Sequence, residues 1–269
     1  MRNYRTPSGD GSTFAGPCEP PTDHATDPPE RPGPRESPAG VGYPRSVAGQ
    51  EIDAVVVPTG RHGLPADIVA EHQRERILAA TIAVVGNRGY RTTTVDHIVK
   101  AAKVGYVAFY ELFEGKEDCF LAALGRIVSD TRTELAERVS TELPWDEQIS
   151  GGLRVLVELI GAEPERARFV LVEAQGAGRD AYRRYEEAMD EAVPKLAEGR
   201  ALRSKGAPEL SAATEEATLT GVAWILQQML SDEDGSSPRQ TLVAATRVAL
   251  APYLGESEAA KLAASAAKS

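Results

Sequence analysis

The sequence predicts an all-α protein, and three observations carry that prediction. Beyond Pro65, apolar residues recur every three or four positions through nearly the whole chain. No segment combines strict alternation with strand-type residues. The interruptions fall at residues that start or stop helices, such as Gly89, Thr93, Gly105 and Pro164.

Residues 1–60 stand apart. They hold 11 of the 18 prolines and 8 of the 24 glycines, too little apolar surface to offset the entropy of ordering, so a disordered extension is expected there. The run IDAVVVP is its one apolar interruption. From Ala66, ADIVAEHQRERILAATIAVVGNRGY places Val69, Ile77, Leu78, Ile82 and Val85 on one helical face, and Gly89 suits the stop. Thr93 with Asp96 three residues on has the form of a capping box, opening a helix buried through Val95, Ile98, Val99 and Ala102. A tight connection at Lys103–Gly105 leads into an aromatic helix, and the chain restarts at Lys116 for an amphipathic helix from about Glu117 to Leu143.

The later elements follow the same period. Ile149, Leu153, Leu156 and Ile160 form one stripe; Pro164 suits a first helical turn. Tyr182, Tyr185, Met189, Val193 and Leu196 mark a helix that Pro194 is expected to kink. Leu219, Val222, Leu226 and Met229 make a further stripe, and Leu242, Thr246, Ala249 and Tyr253 the last. The expectation is about nine helices, with residues 256–269 as a loose Ala-rich tail.

Composition bounds the function. The 269 residues carry a net charge of −10 and no apolar run of the ~18 residues a membrane helix needs. Arg2 and Arg5 are not followed by an apolar leader, so a cytoplasmic protein is expected. Cys18 and Cys119 form no redox or metal spacing, the four histidines form no ligand set, and no phosphate-cradling glycine loop or nucleophile elbow occurs. No catalytic residues, metal or cofactor are expected, and an enzyme is disfavoured. The acidic balance is uneven: residues 61–116 have eight Lys+Arg against six Asp+Glu, a net +2 inside an acidic chain. An anionic partner would sit there.

The stretch AKVGYVAFYELFEGKEDCF, residues 102–120, concentrates five aromatic residues in nineteen. Phe109 and Phe113 share one helical stripe and read as core against Ile82, Val95 and Ile98; Tyr106 and Tyr110 share a neighbouring stripe. Three short helices joined this way have the dimensions of a helix-turn-helix unit. RERILAATIAVVGNRGYRTTTVDHIVKAAKVGYVAFYELFEGKEDCFLAAL resembles the DNA-binding domain of TetR-type regulators, and PERARFVLVEAQGAG with AYRRYEEAMDEAV resembles the middle helices of actinobacterial members.

The resemblance implies a DNA-binding domain over 61–125, with its helix-turn-helix at about 94–113, and a ligand-binding and dimerisation domain over 126–255. It implies a dimeric repressor on a pseudo-palindromic duplex, released by a small-molecule effector. Tyr110 and Lys116 match phosphate-contacting positions of the family, and Thr93 and Thr94 match backbone-binding ones. Tyr106 faces the duplex in this reading. Where many members carry a serine, a basic residue and a threonine, this chain has Gly105, Tyr106, Val107 and Ala108, so base reading rests on apolar contact with thymine methyls. Arg61 and His62 could enter the minor groove as a basic arm.

On periodicity alone the Leu219–Val222–Leu226–Met229 stripe is equally a core face or a partner face. The resemblance implies the latter, together with Leu242 and Tyr253 of the last helix. Glu173, Gln175, Tyr182 and Tyr185 are candidate pocket residues in the middle helices. The competing reading is a TetR-like helical protein whose recognition helix, without Arg, Lys, Asn or Gln, has lost DNA and binds only a small molecule or protein.

Overall fold

Every described element is helical, as the period requires. A computed structural model of the chain describes residues 66–231 and 236–267, and among these no strand occurs. The extension 1–60, its IDAVVVP run, Arg61 and His62 lie outside the described residues. Helix α1 is Ala66–Arg88, α2 Val95–Ala102, α3 Tyr106–Leu112 and α4 Lys116–Arg138. Then come α5, Trp145–Ala162, and α6, which begins as Pro164–Arg168, widens to a π-helical turn over Phe169–Glu173 and closes with Ala174–Gly176. Helix α7 is Arg179–Asp190, and α8 is Val193–Ala197 continued as a 3₁₀ turn through Leu202. Helix α9 is Thr214–Gln227 with a 3₁₀ end at Gln228–Leu230; α10 is Pro238–Leu254 and α11 Glu256–Ala266.

Three expectations need correction. Helix α4 ends at Arg138, five residues early, because β-branched Val139, Ser140, Thr141 and Pro144 follow; Gln148 Nε2 then satisfies the carbonyls of Thr141 and Leu143. Pro194 does not kink a long helix: α7 has already ended, and the proline occupies the first turn of α8, where its missing N–H costs nothing. The tail is not loose. Ala259 and Ala263, at i and i+4, are fully buried, and α11 packs closely against α10.

Three apolar clusters hold the fold. One joins Ile77, Val85, Ile98, Phe109, Phe113, Phe120 and Leu124 to Phe169, Ala174 and Ala181, so α6 and α7 share the core of the first four helices. Phe109, Phe113 and Ile98 belong to this cluster, and half-buried Ile82 and Val95 pack against it. A second lies between α5, α9 and α10; a third surrounds Trp145, Leu250 and Tyr253.

The third cluster encloses a charge. Buried Glu215 accepts hydrogen bonds from Arg200 Nε (2.8 Å) and Nη2 (2.6 Å) and from the Tyr253 hydroxyl (2.9 Å). The Arg200 guanidinium holds the Glu215 carboxyl below its usual range, while burial and then the carboxylate raise the Tyr253 phenol. A carboxyl lowered in the folded state adds stability above its unfolded value, about 4.3, and loses it as pH falls through the folded value. Glu215→Gln, with no charge to protonate, is therefore expected to melt lower than wild type at neutral pH and to lose less stability on acidification. Parallel pH–melting curves for the two proteins would refute this.

Candidate nucleic-acid interface

The first three helices owe their arrangement to their ends. Gly89 takes a positive φ of 84° and stops α1. The next helix is capped by Thr94, not Thr93: Thr94 Oγ1 accepts from the His97 N–H, and His97 Nδ1 accepts from the Thr94 N–H at 3.2 Å. The capping box is thus one residue later than the Thr93–Asp96 spacing suggests. Histidine, with a ring nitrogen as acceptor, serves where glutamate is commoner. At the other end Lys103 adopts the left-handed conformation, φ 53°, and Arg76 of α1 donates to the Lys103 (2.9 Å) and Ala102 carbonyls.

That framework presents one face of α3 to solvent. Phe109 is fully buried, whereas Tyr106 is 48% exposed, Val107 74% and Tyr110 56%. Gly105 is exposed and Ala108 half-buried. Neither phenol is enclosed. Tyr106, however, is engaged: its hydroxyl donates to Asp96 Oδ1 at 2.8 Å, and that bond raises its pKa. Asp96 is paired with Lys100 at 2.7 Å, which lowers the carboxyl. The sequence reading assigns Asp96 to a capping box and does not pair it with Lys100; their i, i+4 spacing on α2 is the available signal.

One of the two expected backbone-binding residues is placed otherwise. Thr93 is 1% exposed and its hydroxyl donates to the Gly89 carbonyl at 2.8 Å, so it braces the α1–α2 turn and cannot reach a duplex. Thr94 is exposed at the helix start. Lys116 donates through Nζ to the carbonyls of Tyr90 and Thr93, each at 2.9 Å, and lies 4.0 Å from the centre of the Tyr90 ring. Burial lowers its pKa. Two of its three N–H bonds are spent on the turn, leaving one for an anion.

The body departs from expectation more. Glu173 accepts from the Tyr90 N–H at 2.7 Å, so its carboxylate is committed to the head. Gln175 is exposed and donates to the Leu171 carbonyl one turn back; Tyr182 is exposed and hydrogen-bonded to Glu186, which raises its phenol; Tyr185 is half-buried against the first core. None of the four lines the cleft of about 270 Å³ between α4 and α7, which Gly125, Val128, Ser129, Arg132, Arg184 and Ala188 border.

Of the expected partner-facing residues, Val222, Leu226, Leu242 and Tyr253 are buried within the single chain, and half-buried Leu219 and Met229 pack against the same clusters. Periodicity selects the apolar face of a helix but not the surface that covers it. The outward face of α9 and α10 instead shows Trp224, 61% exposed, and Val248. A broad groove of about 770 Å³ lies beside Val248, floored by Ala217, Ala244 and Ala251. A solitary tryptophan left out of a 3.6-residue stripe was the sequence signal for this face.

Residues 77–123 match the family model described as "Bacterial regulatory proteins, tetR family". A curated relative, the Bacillus subtilis HTH-type transcriptional regulator YhgD, is 27% identical over 86 residues, 32% of this chain. The alignment spans 45% of that protein, less than half its length. Among solved structures, the fatty acid degradation regulator FadR from Bacillus halodurans superposes with a TM-score of 0.53 at 18% identity, covering 65% of this chain and 97% of that one. FadR from Bacillus subtilis in complex with stearoyl-CoA gives 0.52 at 14%, covering 67% and 98%. At these identities the likeness is one of fold. No described helix is long and apolar enough to cross a membrane.

Proposed function

We propose that this chain is a TetR-type transcriptional regulator that binds double-stranded DNA through α3 as a homodimer, acts as a repressor, and is released by a small-molecule effector. One observation carries the DNA reading. Alternate faces of a seven-residue helix are treated oppositely, Phe109 sealed in the core while, among the described residues, Tyr106, Val107 and Tyr110 stand about half exposed or more. Three large apolar groups on one face are the kind of exposed patch that marks a binding site. On a duplex they suit base edges and thymine methyls, with Tyr110 donating to phosphate and the N–H groups at the start of α2 adding a second phosphate site.

The remaining parts support the same reading. The basic balance of residues 61–116 would favour the anionic duplex. Two heads reading successive half-sites need a two-fold axis, for which the Trp224 face is the available surface. The cleft between α4 and α7 is smaller than most ligand pockets, so an effector entering it must part the two helices. That displaces α4, whose Lys116 holds the α1–α2 turn of the head.

The test is selection from a random-sequence duplex library with the full chain, followed by binding measurements across a salt series. The selected duplex is expected to bind with a steep salt dependence, and Tyr110→Ala to lower affinity roughly tenfold while leaving the melting temperature in place. A chain that selects no duplex at low salt is instead the binder of a small molecule or protein.

A further inference from the structure

The geometry points to Glu173 as a positioning residue for DNA recognition, acting through Tyr90 rather than on the duplex. This rests on the DNA-binding reading above and goes beyond it. The observations begin with the wide turn. Phe169–Glu173 is π-helical inside an otherwise α-helical segment, a geometry that costs hydrogen-bond quality and is commonly kept where it re-aims a side chain. Here it places two groups on the head at once. Glu173 Oε2 accepts from the Tyr90 N–H at 2.7 Å, and the Phe169 ring stacks on Phe120 at 4.2 Å.

Tyr90 is a junction. Its ring meets Phe120 edge-on at 4.9 Å, and the Lys116 ammonium lies over its other contact surface. Its carbonyl accepts from Lys116 Nζ and from the Thr93 N–H. Thr93 then braces the turn and Thr94 caps α2, which packs against α3. The Tyr90 N–H is therefore held by α6, and its carbonyl by α4 and by the turn itself.

The other side of the wide turn is tied to α9. Gln227 Nε2 donates to the Leu171 carbonyl at 2.5 Å, and Arg168 Nη2 to the Leu230 carbonyl at 2.9 Å. Helix α9 carries Trp224, so the six residues Arg168–Glu173 of α6 link the helix of the proposed partner face to the recognition head. A rigid span lets the dimer axis dictate where α3 points. Glu173 is its terminal link, and a backbone N–H asks of it only an acceptor at the right reach.

That requirement distinguishes reach from charge. Glu173→Gln keeps an acceptor oxygen at the same distance; Glu173→Asp keeps the charge on an arm one methylene shorter; Glu173→Ala keeps neither. Three measurements on the full chain decide the matter: hydrogen exchange of the Tyr90 amide without DNA, affinity for the duplex that wild type selects from a random library, and thermal stability. Alanine and aspartate variants are expected to lose Tyr90 protection and to bind that duplex roughly tenfold more weakly at temperatures where they are fully folded. The salt slope should be unchanged, because the phosphate contacts are the same. Glutamine should restore both readouts.

A deprotected Tyr90 with unchanged duplex affinity would overturn the positioning role. So would a Tyr90 amide that stays protected in the alanine variant, or an aspartate variant indistinguishable from wild type. If wild type selects no duplex, the DNA reading fails and this role with it, and the amide measurements still report whether the link exists.

Discussion

Gly86→Ala is expected to unseat α6 from α1 and to cost the protein roughly 3 kcal/mol, lowering its melting temperature by about 10 °C. Gly86 is buried within α1, and a Cβ built there would lie 2.2 Å from the Glu165 carbonyl oxygen and 2.7 Å from its carbon. Both are backbone atoms at the start of α6, so no side chain can swing aside, and the two helices must separate. That separation would also draw Glu173 away from Tyr90 and Phe169 from Phe120.

Intrinsic propensity argues the other way, since alanine is favoured over glycine in a helix by about 1 kcal/mol. Gly161→Ala supplies the control. It lies in α5 with no atom of the described residues beyond its own helix turn within 4 Å of its added methyl, so it should leave stability unchanged or raise it by up to about 1 kcal/mol. Thermal melts of the two variants side by side decide the point. A Gly86→Ala protein as stable as Gly161→Ala would mean that α1 and α6 do not cross as closely as described.

Trp224→Glu is the second large effect, and it strikes association rather than folding. The indole is 61% exposed on the outward face of α9, so its loss removes little intramolecular packing, and any fall in melting temperature should track the lost association and depend on protein concentration in wild type alone. Buried at a two-fold axis, each new carboxylate would meet its own copy close by in an apolar setting, where like charges repel strongly. The variant is expected to sediment as a monomer where wild type is a dimer. Affinity for a two-half-site duplex should fall by roughly 10²–10⁴, because the second head is no longer delivered at high effective concentration. A dimeric Trp224→Glu chain would place the partner face elsewhere. Tyr253→Ala, by contrast, should damage folding, since that ring lies inside the chain against Trp145 and Glu215.

The contrast between Trp224 and Tyr253 marks where sequence reasoning reaches its limit. Both lie on helices whose existence the period predicts, and the buried stripe Leu242, Thr246, Ala249 and Tyr253 is as expected. Which apolar face meets another helix of the same chain, and which meets a second chain, depends on helices elsewhere in the chain. The same limit governs polar residues. Thr93 and Thr94 are adjacent and chemically alike, yet one is buried against Gly89 and the other caps α2, because the turn made by Gly89's positive φ rotates them to opposite sides.

Local physics determined the rest. Side-chain period set the helices of the head, Gly89 and Gly105 their limits, and the alternation of phenylalanine with tyrosine the inner and outer faces of α3. Those properties depend on neighbours within one or two turns, so the order of residues specifies them. Only the tertiary structure decided that Glu173 belongs to Tyr90 rather than to a pocket, that Lys116 spends two donors on the α1–α2 turn, and that Ala259 and Ala263 draw the tail onto α10. Each of those pairings joins residues brought together by packing, and a one-dimensional pattern carries no record of which surfaces meet.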